Sequence, residues 1–186
     1  MDIEEEEEME IVDMLSTADT VDLPNITPKL SEYLNSPSEL IQIEAIELIG
    51  DFMLVDHTVD IEQCLQSPKP LIRMYAANVY YDLVGEDMIE KLPMLYADSD
   101  PGVLVTAFAL GYILTEDVDL LARIKQIIDE PALDDRLAYV VKNVFECYLE
   151  LDEEVEVVML LQYIKGKVDP KSEIFTELSS LLADLE

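Results

Sequence analysis

Residues 67–83 read SPKPLIRMYAANVYYDL, and this pattern recurs along the chain at a spacing of 31 residues. Ala76 at its centre stands in register with Ala45, Ala107 and Ala138, although alanine fills only eleven of the 186 positions. Neighbouring columns agree. Leu48, Val79, Leu110 and Val141 form one, Phe52, Leu83, Leu114 and Phe145 a second, and Leu34, Leu65, Tyr96 and Ile127 a third. Self-similarity at such a period marks stacked helical units that bury their apolar faces against one another. Within the unit, Ile72, Ala76, Val79 and Leu83 follow the i, i+4, i+7, i+11 spacing of one helix stripe, as do Ile41, Ala45, Leu48 and Phe52 before them. Each unit is therefore expected to end in an amphipathic helix, called B, with alanine where neighbouring B helices approach most closely.

A shorter apolar segment, called A, precedes each B helix: PKLSEYL (28–34), IEQCL (61–65), MIEKLPMLYA (88–97) and VDLLARIKQII (118–128). The A to B junctions NSPS, QSPKP, DSDPG and DEPALDD carry Ser or Asp suited to capping the next helix and Pro suited to its first turn. Returning junctions such as VGED and LTED are short and acidic, so successive hairpins are expected to lie side by side. The stretch at 67–83 resembles the HEAT repeat, in which a Pro-containing turn leads to a Val-Arg-like pair, small residues and a final Leu. Arg73 stands where that family has its arginine, while Gln42, Leu104 and Asp135 replace it in the other units. The resemblance implies an all-α, right-handed α-α solenoid of about five hairpins, with repeats at about 26–57, 58–87, 88–117 and 118–152 and an irregular capping pair at 153–186. Residues 1–23 stand apart as an acidic tail, its glutamate run unstructured or a frayed helix start, with Met9, Val12 and Leu15 spaced to dock as an N-terminal cap.

Acidic residues number 42 against 11 basic ones, for a net charge of −31. The net charge is −19 over residues 1–90 and −12 over the remainder, which opposes direct binding to nucleic acid or an anionic membrane. Pro101–Thr115 is the longest uncharged run and, at fifteen residues, is shorter than the roughly 18 a spanning helix requires. With no basic and apolar leader at the start, the reading is a cytoplasmic protein. Cys64 and Cys147 lie far apart in sequence without a CxxC pair and read as reduced thiols.

No catalytic, cofactor or metal constellation stands out. His57 is the only histidine and is placed in a loop, no EF-hand spacing occurs, and Lys165-Gly166-Lys167 lacks a glycine-rich phosphate loop. No cofactor is expected, and attention passes to the surface. If the B helices line a concave face, as the HEAT resemblance implies, Glu47, Asn78, Ala109 and Val140 face a groove, as do Gly50, Tyr81, Tyr112 and Asn143, and Asp51, Asp82, Ile113 and Val144. The residues singled out there for partner binding are Glu47, Asp51, Asn78, Tyr81, Asp82, Tyr112 and Asn143. Tyrosine offers contact area and a hydroxyl, and surrounding carboxylates select a cationic partner. A second row, Asp56, Glu86, Asp87, Glu116 and Asp117, follows the B to A loops and can receive basic side chains. The leading reading is a non-enzymatic module that captures a basic protein, for instance as an inhibitor or immunity protein of a cationic nuclease toxin or as a DNA mimic. Two other classes stay open: a scaffold holding an apolar partner helix near Val140 and Val144, and an enzyme on a HEAT-like frame.

Overall fold

The structure is a computed structural model that describes residues 3–129, 135–149 and 155–184. Its described residues are mostly helical and include no strand. The chain divides into two compact units, Met1–Met88 and Ile89–Glu186.

The first unit contains α1 (Ile3–Ser16), α2 (Leu23–Ile26), α3 (Leu30–Tyr33), α4 (Glu39–Asp51), α5 (Thr58–Cys64) and α6 (Pro70–Val84). Helix α4 is its centre, packed against α1, α3 and α6, while α5 packs on α6. The alanine stripe points inward: Ala45 and Ala76 are fully buried, as are Ile46 and Ile49. The seam between α4 and α6 also tightens at Gly50, where a Cβ would lie 2.9 Å from Val79 Cγ2. Gly50 therefore belongs to helix packing, which corrects its assignment to the groove. The N-terminal segment is helical from Ile3, and Leu15 is buried while Met9 stays exposed. Glu8 Oε1 accepts a 2.6 Å hydrogen bond from Ser38 Oγ, so the end of the glutamate run holds the residue that caps α4.

The first and third A segments are not continuous helices, whereas the second lies in α5 up to its C-cap. Residues 28–34 divide between a 3-10 turn, Thr27–Lys29, and the four-residue α3, and residues 88–97 divide between a 3-10 run, Gly85–Glu90, and the short α7 (Leu92–Leu95). Proline is the physical reason. Pro24, Pro28 and Pro93 stand in the first turns of α2, the Thr27–Lys29 turn and α7, where a missing N–H is tolerated, and each forces a fresh helix start. At the A to B junctions, Ser38 accepts from Ile41 N–H, and Asp100 accepts from Gly102 and Val103 N–H at 2.8 and 3.2 Å. Ser67 does not cap α6: its hydroxyl accepts from Lys69 N–H within the turn, and Arg73 Nη1 donates to its carbonyl at 2.7 Å. Gln42, which holds Arg73's position one repeat earlier, donates in the same way to Leu34 O at 2.7 Å. Lys69 Nζ then bridges Gln42 Oε1 and Pro37 O, joining the two turns.

The second unit contains α7, α8 (Pro101–Thr115), α9 (Val118–Ile128), α10 (Asp135–Leu149), α11 (Val155–Lys165) and α12 (Glu173–Asp184). Helix α8 packs against α7, α9 and α10, and Gly102, Val103 and every residue from Val105 to Tyr112 are buried. A helix apolar around its whole circumference must be enclosed in this way. Its one buried polar side chain, Thr106, donates to Gly102 O at 3.0 Å. Gly111 permits the tight approach of the preceding segment, because a Cβ there would overlap the Tyr96 hydroxyl and meet Leu120 Cδ1 at 3.0 Å. Gly111→Ala is expected to lower stability despite a helix-propensity gain of about 1 kcal/mol, and Tyr96→Phe in the same chain to restore most of the loss. Urea denaturation of the two single variants and the double variant checks the coupling; strictly additive effects would show that the hydroxyl is not the obstacle.

Candidate functional site

The acidic half of the expected groove is assembled within the first unit, on adjacent faces of α4 and α6. Glu47 is half-buried, and burial raises its carboxyl above the usual range, with Glu44 and Asp51 adding like-charge repulsion. Asp82 retains solvent contact, yet the protein mass around it, and then Asp51, push its carboxyl up to about 6. Asp51 thus lies within electrostatic reach of both Glu47 and Asp82. Tyr81 is half-buried, and its hydroxyl is raised by burial and by the Asp82 charge; Asn78 is half-buried on the same helix. None of the ion pairs among the described residues includes Glu44, Glu47, Asp51 or Asp82. Among the described ion pairs, no cation relieves the repulsion between these carboxylates.

Two members of this cluster escape the sequence reading. Glu44 contributes to raising Glu47, and both acids help burial to raise the Tyr75 hydroxyl. The 31-residue register aligns Glu44 with Tyr75, in a column beside the three that the concave-face reading assigns to the groove. Glu44, Glu47 and Asp51 also line a cleft of about 300 Å3 closed on its other side by Leu15, Ser16 and Ala18, at and just beyond the end of α1.

The second unit corrects the rest of the expected groove. Tyr112 is 1% exposed and meets the Phe145 ring edge-on at 6.1 Å, so it is a core residue and presents no hydroxyl to a groove. Ala109 and Val140 are buried as well. The cause is that α7, α9 and α10 cover α8 where Ala109 and Tyr112 lie. Asn143 is exposed on α10. On the loop edge, Asp56, Glu86, Asp87, Glu116 and Asp117 are all exposed, but two have local duties. Asp117 caps α9 by accepting from Asp119 N–H at 3.0 Å, and Glu116 ends α8 in the left-handed conformation with φ 54°.

His57 is not an exposed loop residue. Its side chain is 12% exposed, with Nδ1 2.9 Å from Asp60 Oδ2, and Ser31 Oγ donates to the same oxygen at 2.9 Å. The shared carboxylate ties α3 to the start of α5, and the His57 hydrogen bond holds Asp60 below the usual carboxylate range. A serine and a histidine meeting at one carboxylate oxygen form a structural tie, since the imidazole does not reach the hydroxyl. Burial pushes the Cys64 thiol up to about 11, which keeps it protonated, while the side chain of Cys147 lies outside the described residues. Among the described residues no group of three His, Cys, Asp or Glu side chains is placed to hold a metal ion, and no helix is long and apolar enough to cross a membrane.

The raised Asp82 carboxyl gives a pH signature. Its folded value of about 6 lies above the usual 3.8, so its favourable contribution is full below 3.8 and is lost as pH rises through 6. Asp82→Asn is expected to raise stability at pH 7 by up to about 1 kcal/mol, after allowance for solvent screening, and to flatten stability between pH 4 and pH 6. Thermal melts across that window decide it; a variant no more stable than the parent at pH 7 would contradict the crowding of Asp82.

The chain matches no protein-family model, no curated protein and no solved structure.

Proposed function

We propose that this chain is a non-enzymatic, HEAT-like protein-binding module, a solenoid of about five helical hairpins, which captures a basic protein or a basic segment of one. The observation that carries the reading is the Glu44, Glu47, Asp51 and Asp82 cluster, in which burial raises Glu47 and Asp82, the charges of Glu44 and Asp51 add to the rise at Glu47 and that of Asp51 to the rise at Asp82, and no member has a cationic partner among the described ion pairs. A lysine or arginine arriving there relieves repulsion that the folded chain already bears, so binding gains both an attraction and the removal of a cost. Tyr75 and Tyr81, half-buried beside the acids, supply the apolar and hydrogen-bonding surface such a partner requires. Inhibition of a cationic nuclease, or mimicry of DNA toward a DNA-binding protein, are instances of this capture. The scaffold reading is weaker because Val140, which it needs in an open groove, is buried.

Salt dependence tests the class. Capture of a lysine- and arginine-rich synthetic peptide is expected to weaken by an order of magnitude or more between about 50 and 200 mM salt, since carboxylate capture is screened and apolar docking is not. Affinity independent of salt would remove the electrostatic reading.

A further inference from the structure

In a chain of net charge −31, none of the described interactions of Arg123 is an ion pair with a carboxylate. Its guanidinium lies over the Phe108 ring, 5.5 Å from the centroid, and Phe108 also packs against the Tyr96 ring at 5.2 Å. Attraction to a ring face consumes no N–H donor, so the arginine fork remains unspent. Beside it, between α8 and α9, is a cleft of about 630 Å3, within the size range of small-molecule sites. Leu104, Phe108, Ala122 and Ile127 supply apolar wall, and Arg123, Gln126 and Asp119 are its polar members.

The repeat register places an open cleft at this point. Gln42 and Arg73 each spend a side-chain donor on a carbonyl just before their helix, at Leu34 and Ser67. Leu104 holds the same position one repeat after Arg73 and has no donor to spend. The polar tether of the first unit is thus replaced by an aliphatic wall.

We propose that this cleft binds a small monocarboxylate with a flat apolar body, its carboxylate on the Arg123 fork and the Gln126 amide, its body against Leu104, Phe108 and Ile127. The charge of the ligand follows from the field. One anionic group is matched by the guanidinium bidentately, whereas a dianion would face Asp119 and the negative charge of the whole chain. This site is independent of the acidic cluster on α4 and α6.

2-Naphthoate is the probe, followed by amide chemical shifts of the intact chain, with 2-naphthamide as its uncharged counterpart. Saturable shifts centred on residues 104–108 and 119–127 are expected. Arg123→Gln is expected to weaken binding about tenfold and Arg123→Lys, which keeps the charge but loses the fork, about threefold. Because Arg123 is exposed on α9, both variants should keep the parent spectrum elsewhere, which the same experiment reads. The proposal is overturned if naphthoate produces no saturable shift by about 5 mM, a generous limit for a ligand of this size. It is equally overturned if Arg123→Gln binds as well as the parent, or if naphthamide binds as tightly as naphthoate.

Discussion

Reversing two charges in the α4 and α6 cluster, with Asp51→Lys and Asp82→Lys together, is expected to slow association with a basic peptide by about tenfold or more at low salt. Long-range attraction sets the encounter rate, and Asp51 acts on both Glu47 and Asp82, so the potentials of several acids add there. The control is Glu6→Lys with Glu7→Lys, two exposed positions on α1, which changes net charge by the same amount. Diffuse attraction to an acidic chain would respond equally to both pairs; a localised site responds mainly to the first. Tyr81→Ala separates contact from steering, since loss of its partly buried surface should hasten dissociation and leave association unchanged. Stopped-flow and surface-binding kinetics resolve the two rates. If the α1 reversal slows association as much as the cluster reversal, and Tyr81→Ala changes neither rate, the cluster is not the binding site.

Much of this architecture is legible in the 31-residue spacing, for a reason visible in the packing. Ala45, Ala76, Ala107 and Ala138 are all 0% exposed, and the column Leu48, Val79, Leu110 and Val141 is buried with them. A repeated small residue beside a repeated aliphatic is what helix seams demand, and such a demand leaves a mark in sequence. Groove assignments fare differently because they assume that each B helix has one free face. That holds for α4 and α6, where Glu47, Asp51 and Asp82 come together, and fails for α8, which places Tyr112 in the core. The uncharged run Pro101–Thr115 carries this information: a helix without a single charge around its circumference is enclosed over most of its surface. Read only against the length of a membrane span, the run loses that meaning. The ties made by His57, Gln42 and Lys69 are illegible for another reason, since they depend on turn geometry that proline positions bound only loosely.

Ala107→Leu is expected to be the most destabilising of the single substitutions considered, at about 1 to 3 kcal/mol. Ala107 is fully buried in α8 among Thr106, Phe108 and Leu110, which are buried too, and α9 and α10 close on that helix from the second unit. Three added carbons have no void to enter, so either a neighbouring side chain leaves its rotamer or a helix moves. The matched control is Ala122→Leu, an identical chemical change at an exposed position of α9, where the expected effect is within about 0.5 kcal/mol. A chain of this size loses about 2 to 4 °C of melting temperature per kcal/mol, so the two variants should separate clearly in a thermal melt and in urea midpoints. Equal midpoints for the two would mean that the alanine column does not mark the packed face of α8, and the 31-residue register would lose its physical basis.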